Sequence, residues 1–273
     1  MPEPFDAADP EHVALYDEMP FWSAQAGALL LDHVPLRARR ALDLGCGAGF
    51  PLLELAERLG PGAVTVGIDL WAQALDRAAR KIAVWPVPQA ALVRGDGAVL
   101  PFQDAAFDLV VSNLGVNNFA WFGEALSECR RVLTPGGMLA MSTNVEGHFA
   151  ELYAALDTVL RRRGDHAAQA RLLMQVHHRG RIESIARKLD ACGFRVQATH
   201  AQSVAWRFQN AHALFTHHFM RLGFMDGWRK IAGAEADAVM AELARELDAH
   251  AATTGAITLT VPLVVVLAQA PAA

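Results

Sequence analysis

Short apolar runs alternate with amphipathic segments along the first half of the chain. Four runs have the length of a buried strand: residues 41–44, 64–69, 91–94 and 107–113. Apolar residues recur at helical spacing at 52–59 and 71–83, between these runs, and at 119–133, after the last of them. Strictly alternating β and α units predict a parallel sheet with right-handed crossover connections.

The pattern changes after residue 143. A turn at 134–137 and a fifth strand at 138–143 complete the regular alternation. Further helices are predicted at 151–163, 167–178, 181–192, 211–222 and 235–250, and further strands at 194–208 and 257–268. The helices between the late strands have the character of insertions into an α/β domain.

Composition narrows the class of protein. The chain has 273 residues, 53% hydrophobic and 19% charged, which suffices for one sizeable core with a modest insertion. A net charge of −5 predicts no basic face for nucleic acid. The cysteines Cys46, Cys129 and Cys192 are widely spaced, which indicates neither a disulfide framework nor a zinc cluster. Without a signal sequence or an apolar run long enough to span a bilayer, the chain is expected to be cytoplasmic.

No metal site is expected either. The 11 histidines include adjacent pairs in helical segments, where neighbouring side chains point in different directions and chelate poorly. His148, which follows the fifth strand, is the one histidine that we expect near a substrate, as a candidate base. No catalytic dyad is evident.

The candidate chemistry lies in a glycine-rich turn. The first apolar run is followed by Gly45, Gly47 and Gly49 and then by a helical segment. Strand, glycine turn and helix form the nucleotide-binding arrangement of α/β domains. We expect free backbone N–H groups and the positive end of the helix dipole to attract an anionic group there.

The spacing of the glycines separates two classes of ligand. A dinucleotide fingerprint requires glycine at its first, third and sixth positions, and the sixth position here is Phe50. An acid, Asp43, precedes the first glycine by two positions. The sequence from Asp43 to Gly49 resembles the first motif of class I S-adenosylmethionine-dependent methyltransferases. The later motifs are similar to the small-molecule branch, which includes ubiquinone, menaquinone and biotin-pathway enzymes.

The resemblance implies a fold and a domain organisation. It predicts a Rossmann-like, seven-stranded, mostly parallel sheet with helices on both faces, an antiparallel last strand and inserted helices that form a lid. Residues 1–34 would be an N-terminal helical lid segment. Residues 35–273 would be the methyltransferase domain, with insertions at about 146–178 and 209–252.

Two strand ends extend the cofactor site. Asp69 ends the second strand 20 residues past Gly49, where a carboxylate accepts from both ribose hydroxyls; the alternative is a cap on the next helix. By resemblance, Leu70 packs on the purine, and Asp96 and Gly97 meet adenine, although Asp96 also suits a turn. The full predicted cofactor set is Asp43, Gly45, Cys46, Gly47, Gly49, Asp69, Leu70, Asp96, Gly97 and Asn113.

The acceptor is expected beyond the carboxyl end of the fourth strand. Asn117 and Asn118 follow that strand, without the Asn-Pro-Pro-Tyr type of motif that grips DNA bases or Gln side chains. Tyr16 and Trp22 are expected to face the sulfonium of the cofactor, because aromatic faces attract cations. The alternative is that both only pack the N-terminal helix against the domain. The predicted substrate set is Tyr16, Trp22, Asn117, Asn118 and His148.

The resemblance therefore predicts in-line transfer of a methyl group from S-adenosylmethionine to a small-molecule acceptor, apolar or carrier-bound. Such a displacement requires close, aligned and dry reactants more than it requires a dyad. Two alternatives remain open. One is an NAD(P)-dependent oxidoreductase of Rossmann type, and the other is a catalytically silent binding protein with the methyltransferase fold.

Overall fold

The computed structural model describes residues 6–177 and 179–272, and in this part of the chain seven strands form one sheet in the order β3-β2-β1-β4-β5-β7-β6. The strands are β1 (Arg40–Leu44), β2 (Val64–Asp69), β3 (Ala90–Arg94), β4 (Phe107–Asn113), β5 (Leu133–Asn144), β6 (Arg195–Phe208) and β7 (Ile257–Gln269). The predicted seven-stranded sheet is confirmed.

Helices connect the strands along the chain, and most begin and end close to the predicted positions. They are α1 (Pro10–Glu18), α2 (Phe21–His33), α3 (Leu52–Leu59), α4 (Ala72–Val84), α5 (Phe122–Val132), α6 (Ala150–Arg163), α7 (His166–His177), α8 (Ile182–Ala191), α9 (Ala211–Thr216), α10 (His218–Met220), α11 (Asp226–Ala232) and α12 (Ala236–Thr254). None of these helices is long and apolar enough to cross a membrane.

The sheet is parallel at its centre and antiparallel at β7. Strand β1 pairs in parallel with β2 and β4, so that Asp43 lies opposite both Gly67 and Val111. At the start of β5, Gly137 accepts a hydrogen bond from Ala270 at 2.9 Å. Beyond the other end of β5, Val145 donates to Pro262 at 3.2 Å. The sequence numbers rise on one strand as they fall on the other, and the predicted antiparallel last strand is therefore confirmed.

The predicted turn at 134–137 is wrong. Strand β5 already begins at Leu133, which pairs with Phe107, and the next paired residues are Leu109 and Met138. The intervening residues form a bulge in which Gly136 has a φ of 76°. The glycines that suggested a turn permit this irregularity inside a strand.

One core cluster joins α2 and α3 to the central strands. It contains Leu30 of α2, Leu55 of α3, Leu109 and Val111 of β4, and Val265 of β7. Each of these side chains is almost completely buried. Burial of both faces explains why the central strands are continuous apolar runs rather than alternating ones.

The described chain divides into two compact units. One consists of residues 6–143, 182–202 and 263–272 and contains the glycine-rich turn. The other, which we call the helical unit, consists of Asn144–Arg181 and Ser203–Pro262. It includes α6, α7 and α9 to α12.

The observed helices differ from the predicted ones in three places. The single helix expected at 211–222 is interrupted, because His217 has an extended backbone and its ring packs edge-on against Phe208 at 5.5 Å. A π-helical turn, Arg221–Met225, then leads into α11, which the sequence did not predict. At the other end of the chain, α1 was also unexpected and begins with Asp9 as its N-cap.

Candidate functional site

The glycine-rich turn is fixed by its own backbone hydrogen bonds. The N–H groups of Gly45 and Cys46 donate to the carbonyl of Ile68 at 2.9 and 3.2 Å, and that of Gly49 donates to Cys46 at 2.9 Å. Gly45, Gly47 and Gly49 have φ values of 78°, 51° and 98°, which side chains other than glycine rarely adopt. The expected free N–H groups are therefore absent at Gly45, Cys46 and Gly49.

Gly47 is the point at which a ligand can approach this backbone. A methyl group built on Gly47 would meet no protein atom within 4 Å. One built on Gly67, in the adjacent strand, would lie 2.7 Å from the sulfur of Cys46. Gly67 is thus required for packing, whereas Gly47 keeps the outer face of the turn accessible.

Asp69 lies directly beside this face. Its Oδ2 accepts a hydrogen bond from the Gly47 N–H at 2.8 Å, and its Oδ1 accepts from the Trp71 N–H at 2.9 Å. The second contact is of the helix-capping kind that was the alternative interpretation. Because a carboxylate has about four acceptor positions, Asp69 retains capacity for the hydroxyls of a ribose.

Asp43 is a buried carboxylate without adequate partners. It is 1% exposed, and neither side-chain oxygen has a well-oriented hydrogen bond within the described chain. Burial and the charge of Asp69 raise the pKa of Asp43 to about 8, while the nearby N–H of Leu52 lowers it. Such a group is stabilised by a cationic or hydrogen-bond-donating ligand.

The raised pKa of Asp43 predicts a pH dependence of stability. In an unfolded chain the pKa of an aspartate is about 4, so between about pH 4 and about pH 8 the folded protein binds the additional proton. The free energy of unfolding therefore falls as the pH rises through this window. Between about pH 4 and about pH 8, we expect the melting temperature of the ligand-free wild type to fall by about 5 °C more than that of Asp43→Asn, as measured by calorimetry. Parallel curves would contradict the assignment.

The predicted adenine end combines exposed and packed residues. Asp96 is exposed, and its Oδ1 accepts from the Ala98 N–H at 2.9 Å, as in the turn alternative. Leu70 is 60% exposed. A methyl group built on Gly97 or on Gly45 would lie within 3.7 Å of the ring of Phe119. Phe119 thus brings the two glycines together, which the sequence did not indicate.

Comparison with known proteins decides the family. The family described as "Methyltransferase domain" matches residues 42–141. Nocamycin O-methyltransferase of Saccharothrix syringae is 30% identical over 245 residues, which cover 86% of each chain. The chain belongs to the S-adenosylmethionine-dependent methyltransferase family.

Two further comparisons agree with this methyltransferase assignment. Demethylmenaquinone methyltransferase of Deinococcus radiodurans is 40% identical over 120 residues, and the chain spans about half the length, 48%, of that relative. A solved structure from Bacillus halodurans C-125 has a TM-score of 0.59 at 18% identity and covers 90% of this chain and 99% of its own. The second match supports the fold.

The geometry fits the family's cofactor. The accessible backbone of Gly47 lies beside the carboxylate of Asp69, and the charge of Asp69 raises the pKa of the buried Asp43. A donor with a sulfonium and an ammonium group would bring positive charge to Asp69 and would favour the ionised form of Asp43. In contrast, Cys46 is buried, and burial raises the pKa of its thiol, so its side chain is not available to a ligand.

The polar end of β4 is an internal network. The Asn113 amide donates to the Ser23 carbonyl at 3.0 Å and accepts from the Ser142 hydroxyl at 2.7 Å. Asn117 accepts from the hydroxyl of Thr143. Asn118 is exposed. The amide groups of Asn113 and Asn117 therefore connect elements in this structure, and their contact with ligands stays a prediction.

The N-terminal aromatic residues differ in environment. The Tyr16 ring lies 5.7 Å from that of Trp71, and burial together with the charge of Asp69 raises the pKa of the Tyr16 phenol. Tyr16 is thus near the ribose-binding carboxylate candidate. Trp22 is only 9% exposed and forms part of the buried face of α2, as the docking alternative anticipated.

An ion-pair cluster that sequence reasoning missed connects α1 to the glycine-rich turn. The Asp17 carboxylate pairs with Arg77 at 2.8 Å and with Lys81, both on α4. The Lys81 ammonium also donates to the carbonyl of Ala48 at 2.9 Å. The only sequence signal was an acid in the N-terminal segment and two bases four residues apart in a predicted helix.

His148 belongs to the helical unit and is 3% exposed. Its ring stacks on Phe149, with 3.8 Å between centroids. Burial and the charge of Arg179 lower the pKa of His148 well below its ordinary value. A neutral imidazole is the form that accepts a proton, but the lowered pKa makes it a weak base.

Proposed function

We propose that this methyltransferase transfers a methyl group from S-adenosylmethionine to a small-molecule acceptor by in-line displacement. The observation that carries the proposal is the accessible face of Gly47 beside Asp69, in the same site as the unsatisfied buried carboxyl of Asp43. When bound, the cofactor supplies an activated methyl group, which accepts the acceptor's lone pair while the carbon–sulfur electron pair returns to sulfur.

The proposed roles of the donor-site residues follow their positions. Asp69 would accept from the ribose hydroxyls, and the turn at Gly47 would lie against the methionyl part. Leu70, Asp96 and Gly97 would line the adenine end. For all of these residues the chemistry required is binding and alignment, which can account for much of the rate of a displacement on an activated carbon.

We propose further that the segment 1–34 covers the donor; residues 1–5 lie outside the described chain. Support comes from Tyr16 beside Asp69 and from the Asp17 ion pairs that attach α1 to α4. A cover of this kind would exclude water from the sulfonium.

The acceptor site is proposed to be carried by the insertions at 146–178 and 209–252, of which residue 178 is outside the described chain. The helical unit contains a dense set of aromatic rings around Phe149, suited to an apolar molecule. The relative from Saccharothrix syringae is named an O-methyltransferase, which favours oxygen as the methylated atom. His148 is the candidate base for an acceptor that must lose a proton.

We also propose that the protein works in the cytoplasm. Cys46, Cys129 and Cys192 are all free thiols. Free buried thiols persist without oxidation in a reducing compartment.

Calorimetry with S-adenosylhomocysteine and NADH tests the donor assignment. We expect S-adenosylhomocysteine to bind with a Kd of about 1–100 μM and NADH not to bind, because Phe50 replaces the third glycine of a dinucleotide site. Binding of NADH alone would establish the oxidoreductase alternative. Binding of S-adenosylhomocysteine without methyl transfer to any member of a broad acceptor panel would favour the catalytically silent alternative.

A further inference from the structure

Arg179 is a partly buried cation in the helical unit, just after α7. Its guanidinium donates to the side-chain oxygen of Asn144 at 3.1 Å, and burial lowers its pKa. Within residues 6–177 and 179–272, no carboxylate lies within ion-pair distance of it. A guanidinium has five N–H donors, so one amide oxygen leaves most of its donor capacity unused.

Other arginines of the same unit are neutralised by acids. The pairs are Arg161 with Asp157, Arg162 with Glu246, Arg163 with Glu242, Arg181 with Glu146 and Arg229 with Asp237. Several of these arginines are well exposed and would tolerate the loss of a partner. Arg179 is more buried than the well-exposed Arg161 and Arg181, yet it has no acid within ion-pair distance in the described chain, which is the reverse of what stability alone favours.

The surroundings of Arg179 are aromatic. Its charge lowers the pKa of His148, and the buried phenol of Tyr153 is close enough to influence the pKa of Arg179 itself. The His148 ring stacks on Phe149, and the ring of Trp228 is 6.3 Å from that of Phe149. The neighbouring groups that titrate are thus a neutral imidazole and a phenol.

The aromatic cluster also contains a buried donor that has no acceptor among the described residues, the indole of Trp228. Trp228 is 1% exposed, and its indole N–H makes no hydrogen bond within the described chain. Buried indole N–H groups usually find a partner. A guanidinium with unused donors and an indole N–H without an acceptor, in a unit rich in aromatic rings, indicate a ligand that combines a ring with an acidic oxygen.

We propose that Arg179 binds an anionic oxygen group of the methyl acceptor, a carboxylate or the oxygen of an enol or phenol. The proposal rests on the proposed function and specifies its substrate class. The guanidinium offers two parallel N–H bonds to such a group, and the aromatic cluster receives the apolar remainder. Asn144 holds the guanidinium in place.

This substrate class has a consequence for the chemistry. An anion attacks the sulfonium methyl without losing a proton, so that anion and sulfonium combine to a neutral product and a neutral thioether. No general base is then required. This agrees with a His148 whose pKa is too low for an effective base at neutral pH.

The test compares two matched probes, 6-fluoro-2-naphthoate and its neutral amide, by ¹⁹F NMR titration in the presence of saturating S-adenosylhomocysteine. We expect wild type to bind the carboxylate about 10- to 100-fold more tightly than the amide. Equal binding of the two probes, or no binding of the carboxylate, would overturn the proposal.

Variants assign the preference to one residue. Arg179→Gln should remove the preference for the carboxylate, and Arg179→Lys should restore part of it. Arg181→Gln is the matched control, because Arg181 lies two residues away, is 67% exposed and already pairs with Glu146. Loss of the preference in Arg181→Gln, or its survival in Arg179→Gln, contradicts the assignment.

Two further measurements distinguish a failure of the donor-site assignment from a purely structural role of Arg179. Calorimetry with S-adenosylhomocysteine should give the same affinity for wild type and Arg179→Gln, so that a failed donor site is recognised independently. Thermal melting should show that ligand-free Arg179→Met is at least as stable as wild type, because it removes an uncompensated buried charge. A marked loss of stability in Arg179→Met would show that Arg179 is structural and would overturn the proposal.

Discussion

Asp69→Asn is expected to weaken the binding of S-adenosylhomocysteine about 10- to 100-fold. The substitution keeps the size of the side chain and one acceptor oxygen, but it removes the charge that strengthens hydrogen bonds to ribose hydroxyls. Because Asp69 Oδ2 also accepts from the Gly47 N–H, the glycine-rich turn loses part of its support in the same variant. Isothermal calorimetry at constant ionic strength measures the effect.

Asp76→Asn is the matched control for Asp69→Asn. Asp76 is an exposed acid in the same αβ unit, on α4, and it makes none of the backbone contacts of Asp69. Its replacement changes the net charge equally and should leave the affinity for S-adenosylhomocysteine within about twofold. Undiminished binding in Asp69→Asn would remove the ribose role and leave only the helix-capping one.

Gly47→Ala is expected to abolish most donor binding while the protein remains folded. A β-carbon at this position meets no protein atom within 4 Å, so the folded protein accommodates it apart from the positive φ of 51°. Such a backbone conformation costs an alanine about 1–2 kcal/mol. The added methyl group displaces any ligand that lies against the turn, and displacement by about 1 Å can cost about 100-fold in activity.

Two glycines serve as controls for Gly47→Ala. Gly164, at the end of α6, has a φ of 67° and equally open surroundings, so Gly164→Ala should reproduce the loss of stability without any change in the Kd of S-adenosylhomocysteine. Gly67→Ala should instead impair folding, because its β-carbon would collide with Cys46. Normal donor binding by Gly47→Ala would mean that the ligand does not approach the turn there.

The elements with the strongest local signals were predicted with their observed bounds. The helix Leu52–Leu59 and the strands Val64–Asp69 and Phe107–Asn113 agree residue for residue with the prediction. In each of them the apolar period and the flanking glycine or polar residue favour the same structure. The bulge at 134–137 and the break at His217 depend on pairing and packing with distant residues, which a local pattern does not contain.

In the candidate site, too, local sequence predicted some features, whereas others depend on distant contacts. Glycine spacing and the two acids identified the position of the donor site, because backbone freedom and strand-end carboxylates are properties of short segments. The partners of those side chains were not predictable. The amide of Asn113 is engaged by Ser23, which lies 90 residues earlier.

The sequence by itself determined the order of the elements, the parallel centre of the sheet and the place of the glycine-rich turn, since each follows from periodicity and residue type within about ten to twenty positions. Tertiary structure alone decided which charges are compensated. It placed Asp43 in the core without a close partner, neutralised Lys81 and Arg77 with Asp17, and left Arg179 without an acid within the described chain. Burial and ion pairing arise from contacts between residues far apart in sequence. The charge state and the pKa of each candidate binding group therefore depend on the folded structure.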